Sequence, residues 1–111
     1  MPFRDTQMHL RDILQSIDRI DEFLGGMSLA DYVNDFKTQS AVERQMQIIT
    51  EAAIRLGDDA EATCPGLDWK GIRGMGNILR HEYHRVDDRI VWNTVKTELP
   101  PLRAAVLQAF V

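Results

Sequence analysis

The most constraining feature of the sequence is a series of apolar residues that recur every three or four positions, interrupted only by short glycine, proline and aspartate breaks. A period of 3.6 residues places such side chains on one face of an α-helix, whereas a half-buried strand needs strict alternation. No segment of five residues alternates convincingly. The pattern therefore predicts an all-α protein, a bundle of four to five helices.

The first half of the chain divides into two long helices. The first apolar stripe stops at the glycine pair 25–26, and a short helical turn follows with Ser28 as its capping residue. The second long helix is expected to start from a cap at Thr38 or Ser40, to end at Gly57 and to run antiparallel to the first.

The second half of the chain begins with an acidic segment, 58–68, that contains a Pro-Gly pair and is predicted to be a surface loop. Asp68 then caps a third long helix, expected over 69–84. The segment 86–88 interrupts it, and a further helix starts from an aspartate cap. The proline pair 100–101 stops that helix, and Pro101 is expected to be the first residue of a final helix.

Length and composition limit the class of protein. A chain of 111 residues with 44% hydrophobic and 27% charged residues has the size and balance of one globular domain, which we expect to span 1–111. No signal peptide or membrane-spanning segment is recognisable, so no membrane partner is expected. The single cysteine, Cys64, cannot form an internal disulfide, and it offers no partner for a metal site. A cytoplasmic location is therefore predicted.

Charge is distributed unevenly along the chain. The formal net charge of -4 argues against a protein that coats nucleic acid nonspecifically. Residues 1–69 carry 6 basic and 13 acidic side chains, but residues 70–111 carry 7 basic and 4 acidic ones. An anionic ligand is therefore expected to bind the second part of the chain.

The predicted third helix has one polar face. On an ideal helix six polar residues fall within an arc of about 100°, and apolar residues occupy the other side. Arginine and lysine bind phosphate, and histidine transfers protons near neutral pH, so the stripe is a candidate RNA-binding and catalytic face. A merely solvated helix face is the alternative. The six residues are Lys70, Arg73, Asn77, Arg80, His81 and His84.

The segment 69–83, which reads WKGIRGMGNILRHEY and is followed by Val86 and Asp87, resembles the HepT-like family of the HEPN superfamily. The resemblance extends over nearly the whole chain. It implies a HEPN-like helical bundle, a twofold homodimer, and a partner antitoxin, a minimal nucleotidyltransferase of the MNT type.

Members of this family are toxins that cleave RNA without a metal or other cofactor. Their pattern is Arg-x4-His-x-Tyr, with a polar residue after the arginine, and the nucleotidyltransferase neutralises the toxin by transferring AMP to the tyrosine. The resemblance implies that His81 and Asn77 are catalytic and that Tyr83 accepts AMP. The residues expected to bind RNA phosphates are Lys70, Arg73 and His84.

The arginine position of the family pattern is occupied by Gly76 in this chain. Arg80, directly before His81, and Arg73, one turn before Asn77, are candidates to replace the missing guanidinium, and Arg80 is assigned the catalytic role. The alternative function is a catalytically impaired helical module that binds nucleic acid or the nucleotidyltransferase. A purely structural adaptor is a third possibility.

Overall fold

The computed structural model describes the backbone of residues 2–81 and 86–110, and the side chains of those residues apart from 2–4, 77, 80 and 81. These residues form seven helices and no strand, which confirms the predicted all-α class. Five of the helices are long, in agreement with the predicted bundle. The helices are α1 (Pro2–Leu24), α2 (Leu29–Val33), α3 (Phe36–Leu56), α4 (Asp58–Thr63), α5 (Trp69–His81), α6 (Asp88–Thr97) and α7 (Leu99–Ala109).

The long helices α1 and α3 pack side by side and run antiparallel, as predicted. Thr6 near the start of α1 donates a hydrogen bond to Asp59, just after the end of α3, at 3.4 Å. The apolar stripe of α1 is almost completely buried, and its members are Leu10, Ile13, Ile17, Ile20 and Leu24. The period-3.6 pattern therefore places the core correctly.

The caps of α2 and α3 show where local reasoning succeeds and where it fails. Ser28 and Asp31 form a reciprocal capping box, with bonds of 3.1 Å in both directions, which confirms Ser28 as the cap. The prediction that Thr38 or Ser40 caps α3 is wrong. Asp35 is the cap, because its carboxylate accepts from both the amide and the hydroxyl of Thr38, at 3.0 and 2.8 Å.

The segment predicted to be a loop over 58–68 contains a helix instead. Its first six residues form α4. The acidic side chains in the first turn of α4 stabilise it, because they interact favourably with the positive N-terminal end of the helix dipole. Ala60 and Cys64 are buried, so this turn also contributes to the core. Gly57 has a φ of 54°, which lets the chain turn directly from α3 into α4.

The last two helices begin close to the predicted positions. Asp87 caps α6, with its carboxylate accepting from the Arg89 amide at 2.9 Å, as expected for an aspartate cap. The final helix α7 starts at Leu99, before the proline pair 100–101 rather than at Pro101. Prolines fit the first turn because its amides have no partner within the helix.

Helix α3 is the centre of the bundle, with α1 packed on one side and α5 on another. Helix α7 packs on α1, and α6 joins α7 to α2. Among the described helices, none is long and apolar enough to cross a lipid bilayer. The helix that carries the predicted motif is thus held against the central helix of the fold.

Candidate functional site

The start of α5 is firmly anchored. Asp68 caps it as predicted, since its carboxylate accepts from the Gly71 amide at 2.9 Å. Trp69 is 1% exposed, and its indole N–H donates to the carbonyl oxygen of Cys64 at 2.9 Å. The beginning of the motif helix therefore has a fixed position.

Three contacts then set the register between α5 and α3, which run antiparallel. Successive contacts lie three residues apart on both helices, so each is about one turn from the next. Two are hydrogen bonds of 3.2 Å from a side chain to a backbone carbonyl, and the middle one is a direct approach of glycine backbone to a side chain. The pairs are Arg73 with Ala53, Gly76 with Thr50, and Leu79 with Gln47.

Gly76, at the position where the resemblance implies an arginine, is buried between the two helices. A β-carbon added there would lie within 2.5 Å of the β-carbon of Thr50, well inside contact distance. Thr50 is itself 1% exposed and cannot move into solvent. A larger side chain at Gly76 would therefore require α3 and α5 to separate.

Arg73 makes a dense set of contacts within the protein. Its guanidinium donates to the carbonyl oxygens of Ala53 at 3.2 Å and Gly57 at 2.7 Å, and to both carboxylate oxygens of Glu61 at 2.8 and 3.1 Å. The hydrogen bond with Glu61 raises the pKa of Arg73 and lowers the pKa of Glu61. Four of its five N–H donors are thus engaged, and an RNA phosphate would compete with protein acceptors.

Lys70, in contrast, is exposed, and its side chain makes no hydrogen bond or ion pair with the part of the chain that the structure describes. It lies in the first turn of α5, three residues before Arg73. Of the two described cations in the predicted stripe, Lys70 is the one available to an anionic ligand.

The other predicted site residues are only partly described. Asn77, Arg80 and His81 lie in the last two turns of α5, but their side chains are outside the described residues. Tyr83 and His84 lie outside the described residues altogether. Their catalytic, AMP-accepting and phosphate-binding roles stay predictions.

Sequence reasoning missed two residues of α3, namely Gln47, which contacts the end of α5, and Arg44, which bonds to Gln47. Gln47 donates to the carbonyl oxygen of Leu79, and its own side-chain oxygen accepts from Arg44 at 3.4 Å. Arg44 is exposed. The period of α3 identifies these residues as polar, but only the α3–α5 register shows that they lie near the His81 end of the motif helix.

A cavity of about 200 Å³ lies between α3, the first half of α5 and α7. Most of its lining is apolar, for example Ile49, Met75 and Leu102, and the acidic residues Asp68 and Glu98 are also part of the lining. Neither lysine nor arginine is among the described residues that line it. Its charge is therefore unsuitable for an RNA backbone, and the exposed polar side of α5 is the better candidate site.

No group of three or more histidine, cysteine, aspartate or glutamate side chains in the described part of the chain is arranged to hold a metal ion. Cys64 is buried, and burial raises the pKa of its thiol. It therefore has the properties of a core residue rather than of a nucleophile.

Comparison with known proteins gives matches that include the whole of α5. The family model described as "Ribonuclease HepT-like" matches residues 13–109. The chain is similar to a probable ribonuclease HepT of Thermococcus cleftensis, with 36% identity over 100 residues that cover 90% of this chain and 91% of the relative. It is also similar to a putative RNase of Methanocaldococcus jannaschii, with 32% identity over 106 residues that cover 96% and 97% of the two chains.

A putative RNase of Caldanaerobacter subterraneus is 36% identical over 98 residues, which cover 88% of each chain. Comparison with solved structures gives no significant match. The family model spans all of the long helices from within α1 to the end of α7, including the whole of α5. The chain therefore belongs to the HepT-like ribonuclease family of the HEPN superfamily.

Proposed function

We propose that this protein is an endoribonuclease that cleaves RNA without a metal ion, with its catalytic residues on α5. The observation that carries the proposal is the family match over 13–109, which includes the motif positions Asn77 and His81. The relatives named above as ribonucleases cover nearly the whole chain, so the similarity is not limited to one helix.

The proposed reaction is a transesterification within the RNA strand. His81 accepts the proton of a ribose 2′-hydroxyl, the 2′-oxygen bonds to the adjacent phosphorus, and the bond from phosphorus to the 5′-oxygen breaks. The 5′-oxygen leaves with a proton donated by an imidazolium, and a cyclic phosphate remains. Histidine suits both transfers because its ordinary pKa lies near neutrality. Asn77 and Arg80 would hold the phosphate, and Lys70 and His84 the neighbouring backbone.

We further propose that the protein acts in the cytoplasm as the toxin of a toxin–antitoxin pair, as a homodimer. An MNT-type nucleotidyltransferase would neutralise it by transferring AMP to the hydroxyl of Tyr83. The added phosphate and nucleoside would then block the RNA site by charge and volume. Two motif helices side by side in a twofold dimer would supply one histidine as base and the second as acid.

A second candidate, a binding module without catalytic activity, is favoured by Gly76. This residue removes the family's guanidinium, and its burial against Thr50 leaves no space for a side chain at that position. Such a protein would keep the basic second half of the chain and bind RNA or the nucleotidyltransferase without cleaving.

One set of measurements separates the two candidates. End-labelled RNA is incubated with the wild-type protein and with His81→Ala in excess EDTA, and binding of a 2′-O-methyl RNA of the same sequence is measured in parallel. Cleavage that persists in EDTA and is lost in His81→Ala supports the ribonuclease. Binding without cleavage in wild type supports the binding module.

The proposed regulation has its own test. The protein is incubated with ATP, magnesium and a nucleotidyltransferase of the MNT type, and the masses of its peptides are measured by mass spectrometry. An AMP increment on the peptide that contains Tyr83, absent from Tyr83→Phe, supports the proposal. An increment that persists in Tyr83→Phe contradicts the assignment of the acceptor.

A further inference from the structure

We propose that Arg44 of α3 supplies the guanidinium that position 76 cannot carry, and that it binds the scissile phosphate at the His81 end of α5. The inference rests on the proposed ribonuclease function. It assigns a catalytic role to a residue outside the motif helix, where neither the sequence pattern nor the family resemblance places one.

The register between α3 and α5 carries the first step. Because the helices are antiparallel, the residues of α3 that contact α5 closer to His81 have lower numbers, in the order Ala53, Thr50, Gln47. Arg44 is three residues beyond Gln47 in the same direction, which is about one further helical turn. Arg44 therefore lies at the His81 end of α5.

The hydrogen bonds carry the second step. Gln47 uses both ends of its side-chain amide, with the oxygen accepting from Arg44 at 3.4 Å and the nitrogen donating to the Leu79 carbonyl at 3.2 Å. Leu79 is two residues before His81. The guanidinium is thus connected through a single side chain to the backbone turn that carries the histidine.

Availability is the third step. Arg44 is exposed, and its one hydrogen bond to the described residues is the long contact with Gln47. No carboxylate of the described part of the chain forms an ion pair with it. With respect to the described residues, its planar fork therefore keeps enough N–H donors to bind two oxygens of one phosphate.

Arg73 does not compete for this role. Its donors are occupied by Ala53, Gly57 and Glu61, and it lies eight residues before His81, about 12 Å along the helix axis. In the transition state, charge accumulates on the non-bridging phosphate oxygens, and a guanidinium held at the histidine end of α5 stabilises that charge directly. Arg80, which was assigned above to the same phosphate, is the second source of a guanidinium, and the experiment below distinguishes the two arginines.

The test compares Arg44→Gln with Arg55→Gln. Arg55 is an exposed arginine eleven residues further along α3, close to three full turns, so it lies on the same face of the same helix but at the other end of α5. Both substitutions remove one positive charge. We expect Arg44→Gln to lower kcat for RNA cleavage about 100-fold or more and Arg55→Gln to change it less than twofold. Arg44→Lys should recover part of the loss, and the thermal midpoint should stay within about 2 °C in both variants.

The proposal is overturned if kcat for Arg44→Gln lies within threefold of that for Arg55→Gln. It is also overturned if Arg80→Gln loses activity while Arg44→Gln keeps it. If the wild type does not cleave, the ribonuclease proposal fails separately, and binding of the 2′-O-methyl RNA then decides about Arg44. Weaker binding by Arg44→Gln than by Arg55→Gln keeps Arg44 as a phosphate contact. Equal binding by the two variants, or no binding by the wild type, overturns it.

Discussion

The backbone of Gly76 in α5 lies directly against the side chain of Thr50 in α3, and a β-carbon at position 76 would stand 2.5 Å from that of Thr50. Carbon atoms in favourable contact are about 3.5–4.0 Å apart. The glycine at the position where the family resemblance implies an arginine thus also sets how closely α5 approaches the central helix α3.

The first prediction concerns this approach. Gly76→Ala should lower the free energy of unfolding by about 1–2 kcal/mol, because the overlap with Thr50 exceeds the gain of about 1 kcal/mol in helix propensity. Gly74 lies on the same helix, is exposed, and has nothing within 4 Å of an added β-carbon. Gly74→Ala should therefore raise stability by about 0.5–1 kcal/mol. Denaturant unfolding of both variants measures whether each substitution lowers or raises the free energy of unfolding.

Equal stabilisation by the two alanines would show that Thr50 moves aside without cost. The same overlap predicts the behaviour of Gly76→Arg, which restores the family's motif residue. We expect this variant to unfold at a lower temperature than the wild type and to gain no cleavage activity, since α3 and α5 must separate to admit the side chain.

Much of the fold was predictable because local sequence decides it. The stripe of α1, the Ser28 capping box and the Asp68 and Asp87 caps depend on residues three or four positions apart. The start of α3 was mispredicted because two capping candidates, Asp35 and Thr38, lie three residues apart and bond to each other. Local sequence does not show which of them is outside the helix.

The site was less predictable because it depends on contacts between helices. The period of α5 places Arg73 in a polar stripe, but its acceptors lie on α3, on α4 and at the glycine between them, 12 to 20 residues away in sequence. Gly76 was recognised as a departure from the family pattern, but its packing against Thr50 needs the helix spacing. Arg44 gave no signal, because nothing in the sequence pairs α3 with the end of α5.

The second prediction concerns Tyr32, which is fully buried and whose hydroxyl has no hydrogen-bond partner among the described residues. An unsatisfied buried hydroxyl costs free energy, so Tyr32→Phe should keep stability or raise it by about 1 kcal/mol. Tyr32→Leu should lower stability, because it also removes the ring contact with Trp92, whose centroid is 5.5 Å away. Thermal unfolding of wild type, Tyr32→Phe and Tyr32→Leu at neutral pH measures their order of stability.

Tyr32 also predicts a response to alkali. Burial, followed by the nearby carboxylates of Glu43 and Asp88, raises the pKa of its phenol far above the ordinary value. A group whose pKa is raised on folding stabilises fully below the unfolded-state pKa, about 10 for tyrosine, and this contribution is lost as pH rises above it. Wild type should therefore lose stability between pH 10 and about 11 relative to Tyr32→Phe. Parallel curves for the two proteins would contradict this assignment.

The third prediction concerns the ion pair of Arg73 and Glu61. Arg73→Gln leaves the carbonyls of Ala53 and Gly57 without this donor and should lower the free energy of unfolding by about 1–3 kcal/mol at neutral pH. The pKa of Glu61 is lowered in the folded protein, chiefly by its hydrogen bond to Arg73. Its contribution is therefore present above the unfolded pKa of about 4.3 and is lost as pH falls through the lower folded value.

The stability difference between wild type and Arg73→Gln should accordingly narrow as pH falls below about 4.3. Chemical denaturation of wild type and Arg73→Gln at several values of pH measures this difference in the free energy of unfolding. Arg103 serves as the control, because it pairs with the exposed Asp18 at 2.9 Å and donates to no backbone carbonyl among the described residues. Arg103→Gln should lower the free energy of unfolding less than Arg73→Gln does, because an exposed ion pair contributes little to stability. A larger cost for Arg103 than for Arg73 would refute the structural role of Arg73.

The fourth prediction separates the two cations at the start of the motif helix by what each one binds. Lys70 is exposed and makes no ion pair with the described residues, so Lys70→Gln should leave the thermal midpoint within about 2 °C. If Lys70 contacts an RNA phosphate, its substitution removes one released counterion, and the slope of log affinity against log salt concentration should fall by about 0.7 for single-stranded RNA.

Arg73→Gln should have the opposite pair of effects, a lower thermal midpoint and an almost unchanged salt slope, because four N–H donors of Arg73 already bind protein oxygens. Fluorescence anisotropy with 2′-O-methyl RNA from 50 to 200 mM salt gives the slopes, measured at a temperature where both variants are folded. A slope reduced by Arg73→Gln and unchanged by Lys70→Gln would mean that RNA displaces the bond to Glu61 and that the exposed lysine has no part in the site.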